Sequence, residues 1–319
     1  MSSLSLAATH LFSPMTLCFV LGAVAAALRS DLKLPDAAFT TLSIYLMLAI
    51  GMKGGADLVS APAGDILWPA LLAIGLALLI PLWAYAVLRR VLGLGTIDAA
   101  ALAAHYGSVS AVTFLAVLVY LDGAGIGYEP YVTALLAIME VPAIIVALLL
   151  AGSGTSRQGL GHVIARTLTS KSVVLLVGGL CIGAIVGREG LQPVKPLFVD
   201  LFRGVLCLFL LDLGIQAARQ MGTLRRAHAG IVLFALAAPV LNGGLGLAAG
   251  WLAGMSQGGA VVLATLSASA SYIVAPAAVR MALPEANPAL YLTAPLAITF
   301  PFNLVLGIPL FIALAGFLY

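Results

Sequence analysis

Charge is what this sequence lacks. Only 8% of its 319 residues are Asp, Glu, Lys or Arg, while 62% are hydrophobic. A typical soluble domain carries about 25% charged residues, so this chain has too few to cover a surface in water. Its apolar runs are roughly 20 residues long, the length that crosses a bilayer as helix. They recur from end to end, which predicts an all-α polytopic membrane protein with no separate soluble domain. The number of runs excludes a surface-bound amphipathic peptide.

Motifs that carry covalent chemistry are also missing. Cys18, Cys181 and Cys207 lie in apolar runs without metal-ligand spacing and read as packing or lipid-facing residues. There is no nucleotide-binding glycine motif, metal-ligand constellation or Ser–His–Asp order. An enzyme, and an ATP-driven pump on this chain alone, are thereby excluded. No cofactor or nucleic-acid partner is expected; any coupling has to come from an ion gradient. The first apolar run, 13-SPMTLCFVLGAVAAALRS-30, has no Lys or Arg ahead of it, so it is expected to be a retained span.

Cutting at Gly, Pro and charge clusters predicts about ten spans. The first five cover roughly 13–30, 37–57, 67–88, 99–121 and 129–151. The second five cover roughly 172–188, 197–218, 228–253, 258–280 and 289–317. Between them lies 152-GSGTSRQGLGHVIARTLTSK-171, the longest polar link, which reads as a hinge. The chain thus divides into 1–151, a linker 152–171, and 172–319. With the N-terminus outside, cytosolic segments carry Arg29, Lys33, Arg89, Arg90, Arg157, Arg166, Lys171, Arg219, Arg225, Arg226 and Arg280. That is 11 of the 15 basic residues. The positive-inside rule then predicts an inner-membrane protein with both termini outside and the linker in the cytosol.

The halves match in sequence. 131-YVTALLAI-138 agrees with 291-YLTAPLAI-298 at six of eight positions, an offset of 160. At nearly the same offset 107-GSVSAV-112 falls on 268-ASASYI-273, pairing Ser108 with Ser269 and Ser110 with Ser271. Gly51 in 48-LAIGMKGG-55 pairs with Gly214 in 211-LDLGIQAA-218. Five spans per half reverse direction, so these are expected to be inverted repeats, the architecture of secondary transporters.

Two segments rich in Ser and small residues, 105-HYGSVSAVTF-114 and 266-LSASASYIVAP-276, predict interruptions in the fourth and ninth spans. Gly107 and Pro276 both favour a break. Irregular backbone at membrane depth is tolerated only inside protein or along a cavity. Two half-helix N-termini there would offer N–H groups to an anion. The bland alternative is that small residues let helices pack closely. The candidate anion cradle is Gly107, Ser108, Ser110, Ser269, Ser271 and Tyr272.

Ionisable residues within spans are few, and mid-span carboxylates mark ion or proton paths by default. Glu140, with oxygens from Ser110 and Thr113, suits a sodium ion. Asp212 fits ion binding or packing equally. His105 reads as structural and Lys53 as a snorkelling residue near a span end. Thr299 and Asn303 are weaker candidates for the same cavity.

With these residues in view, the chain resembles the sodium-dependent bicarbonate transporter family of cyanobacteria and its wider bacterial relatives. The likeness is carried by 49-AIGMKGGADL-58, 105-HYGSVSAVTF-114, 201-LFRGVLCLFLLDLG-214, and the run from Ser269 through 284-PEANPALY-291 to 307-GIPLFIALA-315. The resemblance implies a ten-span, elevator-like carrier, usually a homotrimer, that imports bicarbonate with sodium. It also implies a PII-like regulatory partner on the cytosolic side. The family's substrate region falls on 107-GSVSAVT-113 and 269-SASYIVAP-276. Three positions depart from the cyanobacterial pattern. Tyr272 stands where an Asp follows the serines, Gln216 replaces a Glu with Asp212 four residues earlier, and the linker is short. Other small anions such as organic carboxylates, or a channel or solute sensor on the same architecture, remain alternatives.

Overall fold

The computed structural model describes residues 13–59, 61–152, 160–224 and 229–319. Arg157, Arg225 and Arg226 of the charge pattern lie outside the described residues. No strand occurs among the described residues. In chain order the helices are α1 (Pro14–Ala27), α2 (Asp36–Leu58), α3 (Ala63–Arg90), α4 (Thr96–Gly107), α5 (Ala111–Ala124), α6 (Val132–Glu140) and α7 (Pro142–Ala151). Then come α8 (Leu160–Leu168), α9 (Lys171–Gly190), α10 (Phe202–Leu224), α11 (Ala229–Leu252), α12 (Gln257–Ala268) and α13 (Val274–Ala282). The last span runs from α14 (Pro288–Thr293) through two π-helical stretches to α15 (Ile308–Leu318).

All ten predicted spans are helical. Eight helical stretches are long and apolar enough to cross a membrane, with α1 and α12 shorter. Interruptions fall where the serine-rich segments predicted them, at 108–110 and 269–273. The linker is more than a hinge, since α8 occupies its second half.

Local signals set the helix starts. Ser13, Ser170 and Ser256 accept hydrogen bonds from the N–H groups of Thr16, Val173 and Gly259. Each satisfies a donor that the helix cannot. Gly125 ends α5 in a left-handed conformation, φ +67°, which glycine adopts without strain.

The antiparallel spans give two faces. One, the loop face, gathers the end of α2, the α5–α6 turn, the α9–α10 turn and the α11–α12 turn. The other, the linker face, gathers the α3–α4 turn, α8 and the end of α13.

Glycines set how closely the helices approach. A Cβ on Gly51 of α2 would stand 2.9 Å from the Gly179 Cα of α9. One on Gly214 of α10 would collide with the Phe19 carbonyl of α1. These pairs therefore pack backbone to backbone, as small residues allow in membranes. The second group of helices centres on α4, α5 and α12, whose residues are nearly all buried. Leu, Val and Ile on α1, α3, α9 and α11 face outward, among them Leu17, Leu71, Val174, Ile185 and Leu233. That leaves the interrupted spans inside a protein sleeve, where exposed backbone groups can find partners.

Candidate functional site

The first interruption begins as α4 ends at Gly107. A Cβ there would lie 2.8 Å from Pro81 Cδ and from Ala143 Cβ, so close packing against α3 and α7 fixes this glycine. Ser108 turns extended (φ −86°, ψ 157°), and its hydroxyl donates to the Glu140 carbonyl at 3.2 Å. Ser110 is the N-cap of α5: its Oγ accepts from the Thr113 N–H at 3.2 Å.

The second interruption follows the same outline. Ser269, after α12, is also extended (φ −77°, ψ 164°). Ser271 Oγ accepts from the Ala275 N–H at 3.2 Å, within the first turn of α13. Pro276 falls in that first turn, where a missing N–H costs nothing. The Ala268 carbonyl accepts from Asn303 Nδ2 at 2.8 Å.

The two interruptions are joined directly. The Ser110 N–H donates to Ser269 Oγ at 2.8 Å, and Ser269 Oγ donates to the Leu266 carbonyl at 2.7 Å. The Ser271 N–H donates to the His105 carbonyl at 2.8 Å. Backbone freed by each break is thus partly satisfied by the other, which is what buried irregular backbone requires.

Between them lies a cavity of about 10 Å³, lined by Ser110, Glu140, Ser172, Ser271 and Tyr272 together with apolar neighbours including Met47 and Val274. It has room for about one water. The first residues of α5 and α13 both border it, so two positive helix ends meet there. Glu140 is 4% exposed, and its carboxylate makes no hydrogen bond or ion pair among the described residues. The Tyr272 hydroxyl is buried beside Ser110 without a normal hydrogen bond, and its ring meets Phe300 edge-on at 5.4 Å.

Ser110, Ser271, Tyr272 and Glu140 are therefore brought together at the cavity. Ser108 and Ser269 stand behind it as braces. Gly107 and Thr113 do not line it. Asp212 lies on α10, where it accepts from Gln216 Nε2 at 2.5 Å; it is also outside the lining. Thr299 Oγ1 pairs with the Tyr106 hydroxyl at 2.7 Å and donates to the Ala235 carbonyl. His105 is fully buried, with Nδ1 at 2.7 Å from the Ala101 carbonyl. Sequence reasoning missed Met47 and Ser172. The hydroxyl of Ser172, at the start of the sixth span, was the only legible signal.

Two larger cavities flank this one. On the loop face a cavity of about 490 Å³ is lined by Lys53, Asp57, Asp122, Tyr128, Arg188 and Arg203, with apolar neighbours. Arg188 bonds Asp57 at 2.8 Å, and Arg203 stands 3.9 Å from Asp122. Lys53 is thus exposed into a cavity. Burial, with Asp122 beside it, raises the Tyr128 phenol above its ordinary pKa, so it remains a donor to Asp122. On the linker face a cavity of about 300 Å³ lies between α8 and α13.

The sequence model of the Na+-dependent bicarbonate transporter superfamily matches residues 14–316, nearly the whole chain. Among curated proteins no match is found. The chain belongs to the Na+-dependent bicarbonate transporter superfamily.

Proposed function

We propose that this chain is a secondary transporter that carries bicarbonate inward together with sodium, using the central cavity between the interrupted spans. One observation carries the reading: Glu140, buried and with no partner for its carboxylate among the described residues, borders the cavity where the α5 and α13 N-termini meet. An unpaired buried carboxylate is costly unless a cation neutralises it. Sodium beside Glu140 offsets that cost and makes the pair neutral, so the two positive helix ends are left to attract the anion. The anion is held by N–H groups and by the hydroxyls of Ser110, Ser271 and Tyr272. No Arg or Lys lines this cavity among the described residues, which suits a small monovalent anion better than a dicarboxylate or phosphate.

With room for about one water, the cavity is sized for a bare ion. Bicarbonate, with four heavy atoms, binds once the α4–α5 and α12–α13 group shifts against α1, α2, α9 and α10. The proposal includes two inverted repeats, 1–151 and 172–319, with the linker face in the cytosol of an inner-membrane protein. Parallel roles support the repeats: Ser108 and Ser269 leave their helices extended. Ser110 and Ser271 accept from the first turn of the following helix. A homotrimer and a PII-like partner on the linker face complete the reading as family expectations.

Uptake of labelled bicarbonate into proteoliposomes, with and without an inward sodium gradient, tests it. Sodium-stimulated uptake is expected. Uptake indifferent to sodium removes the coupling. No bicarbonate uptake, with a small carboxylate carried instead, removes the substrate.

A further inference from the structure

The linker-face cavity differs from the other two in its charge. Arg166, Thr167, Ser170, Val274, Arg280 and Met281 are among its lining residues, and no carboxylate lines it among those described. Arg166 is near the end of α8 and Arg280 near the end of α13. Those positions favour cations through the helix dipole, and both arginines are exposed where they line the cavity. Neither guanidinium makes an ion pair or hydrogen bond among the described residues. Glu285, the next acid in sequence after Arg280, is exposed and pairs with neither.

The loop-face cavity shows the contrast. There Arg188 and Arg203 each face an aspartate, so each already has a carboxylate partner. Continuity with the central cavity supplies the second observation. Val274, the first residue of α13, lines both the central and the linker-face cavity. Val274 is thus common to the place where the anion binds without side-chain cations and to a place that has two.

We propose that Arg166 and Arg280 form an oxyanion site on the linker face that receives the transported anion from the central cavity as it leaves past Val274. This rests on the anion-carrier reading above. Guanidinium forks match the oxygens of a planar oxyanion. Because both arginines are exposed, the site is weak and salt-sensitive, as a release step needs. Its lining comes from the linker and from the half-helix that borders the central cavity. The linker is thereby a working part of the exit path.

Arginine modification by a dicarbonyl reagent, read by peptide mass spectrometry on the intact detergent-solubilised protein, tests the site without turnover. Sodium bicarbonate, against sodium chloride at equal ionic strength, is expected to slow modification of Arg166 and Arg280 severalfold and to leave Arg90 unchanged. Equal protection at Arg90, or none at Arg166 and Arg280, overturns the site. Protection by inorganic phosphate but not bicarbonate overturns the release role and marks a phosphate site instead. Arg166→Gln with Arg280→Gln is expected to raise the KM for bicarbonate roughly tenfold, about one charge-assisted hydrogen bond, in inside-out vesicles only. Arg280→Lys, which keeps the charge, is expected to restore part of it. A KM unchanged, or raised equally in right-side-out vesicles, overturns the proposal. Failure of the carrier reading is distinguishable, because wild-type proteoliposomes would then take up no bicarbonate at all.

Discussion

The two interrupted spans look alike in sequence and are held differently in the fold. The first break is short, 108–110, and Ser110 caps the following helix from its own backbone position. The second is longer, 269–273: Ile273, next to α13, contributes no side-chain cap, and Ser271 reaches the Ala275 N–H from farther back. It depends on distant partners: the His105 carbonyl accepts from the Ser271 N–H, and the Ala268 carbonyl accepts from Asn303 Nδ2. The link between the breaks is also one-sided. The Ser110 N–H reaches Ser269 Oγ, but its counterpart, the Ser271 N–H, goes to His105 and not to Ser108. Both breaks cap their following helix through a serine. The contrast lies in the length of the second and in its Ala268 and Ser271 backbone groups, which rest on Asn303 and His105 and can be reset when the helix group moves. The second break is also the one that borders two cavities, through Val274.

The largest effect is expected where both breaks converge. Glu140 braces Ser108 through its carbonyl and lines the cavity shared with Ser271. Glu140→Gln keeps the carbonyl and the side-chain volume while removing the charge. Sodium affinity in transport should fall roughly ten- to hundredfold, the scale of one lost charge-assisted contact. Thermal unfolding in detergent without sodium should hold or improve, because an unpaired buried charge is gone. Unchanged sodium dependence would detach Glu140 from coupling.

Next comes the asymmetry itself. Ser269→Ala leaves the buried Ser110 N–H without its acceptor, at a cost of about 1–3 kcal/mol. Ser110→Ala removes only the α5 cap, about 1 kcal/mol. Denaturation of the two purified variants should rank them in that order. The reverse ranking would make the first break the dependent one.

Much of this was legible in the sequence, and the reasons differ by residue. The ten spans follow from hydropathy alone, because lipid forces backbone hydrogen bonds to close within each helix. The positions of both breaks were visible because Ser and small residues replace Leu there. Glu140 was visible as a carboxylate in the wrong solvent. What could not be read were the partners. Met47 comes from a span whose local sequence gives no sign of the cavity and Ser172 offers only its hydroxyl; the approach of α2 and α9 brings both to it. Asp212 fitted ion binding or packing equally from its sequence; in the fold it accepts from Gln216 on its own helix. Gly107, a candidate for the anion cradle, also lets α3 and α7 approach closely, a packing role that its local sequence does not show.

The smallest effect separates three serines that the sequence presents as one set. Ser269 crosses to the first break and Ser271 opens the first turn of α13, but Ser267 Oγ donates back to the Leu263 carbonyl at 2.8 Å within α12. A carbonyl four residues earlier already accepts the helical N–H, so removing this hydroxyl strands no partner. Such back-bonding slightly weakens a helix, and Ala is the better helix former. Ser267→Ala should therefore shift stability by no more than roughly 0.5 kcal/mol and leave bicarbonate uptake at the wild-type level. Gly246 lies against Ser267 Oγ, so a small void forms there, offsetting part of the helix gain. Uptake falling as far as in Ser271→Ala would show that α12 unwinds further during transport than this structure has it. The second break would then begin at Ser267, and its dependence on distant partners would be larger still.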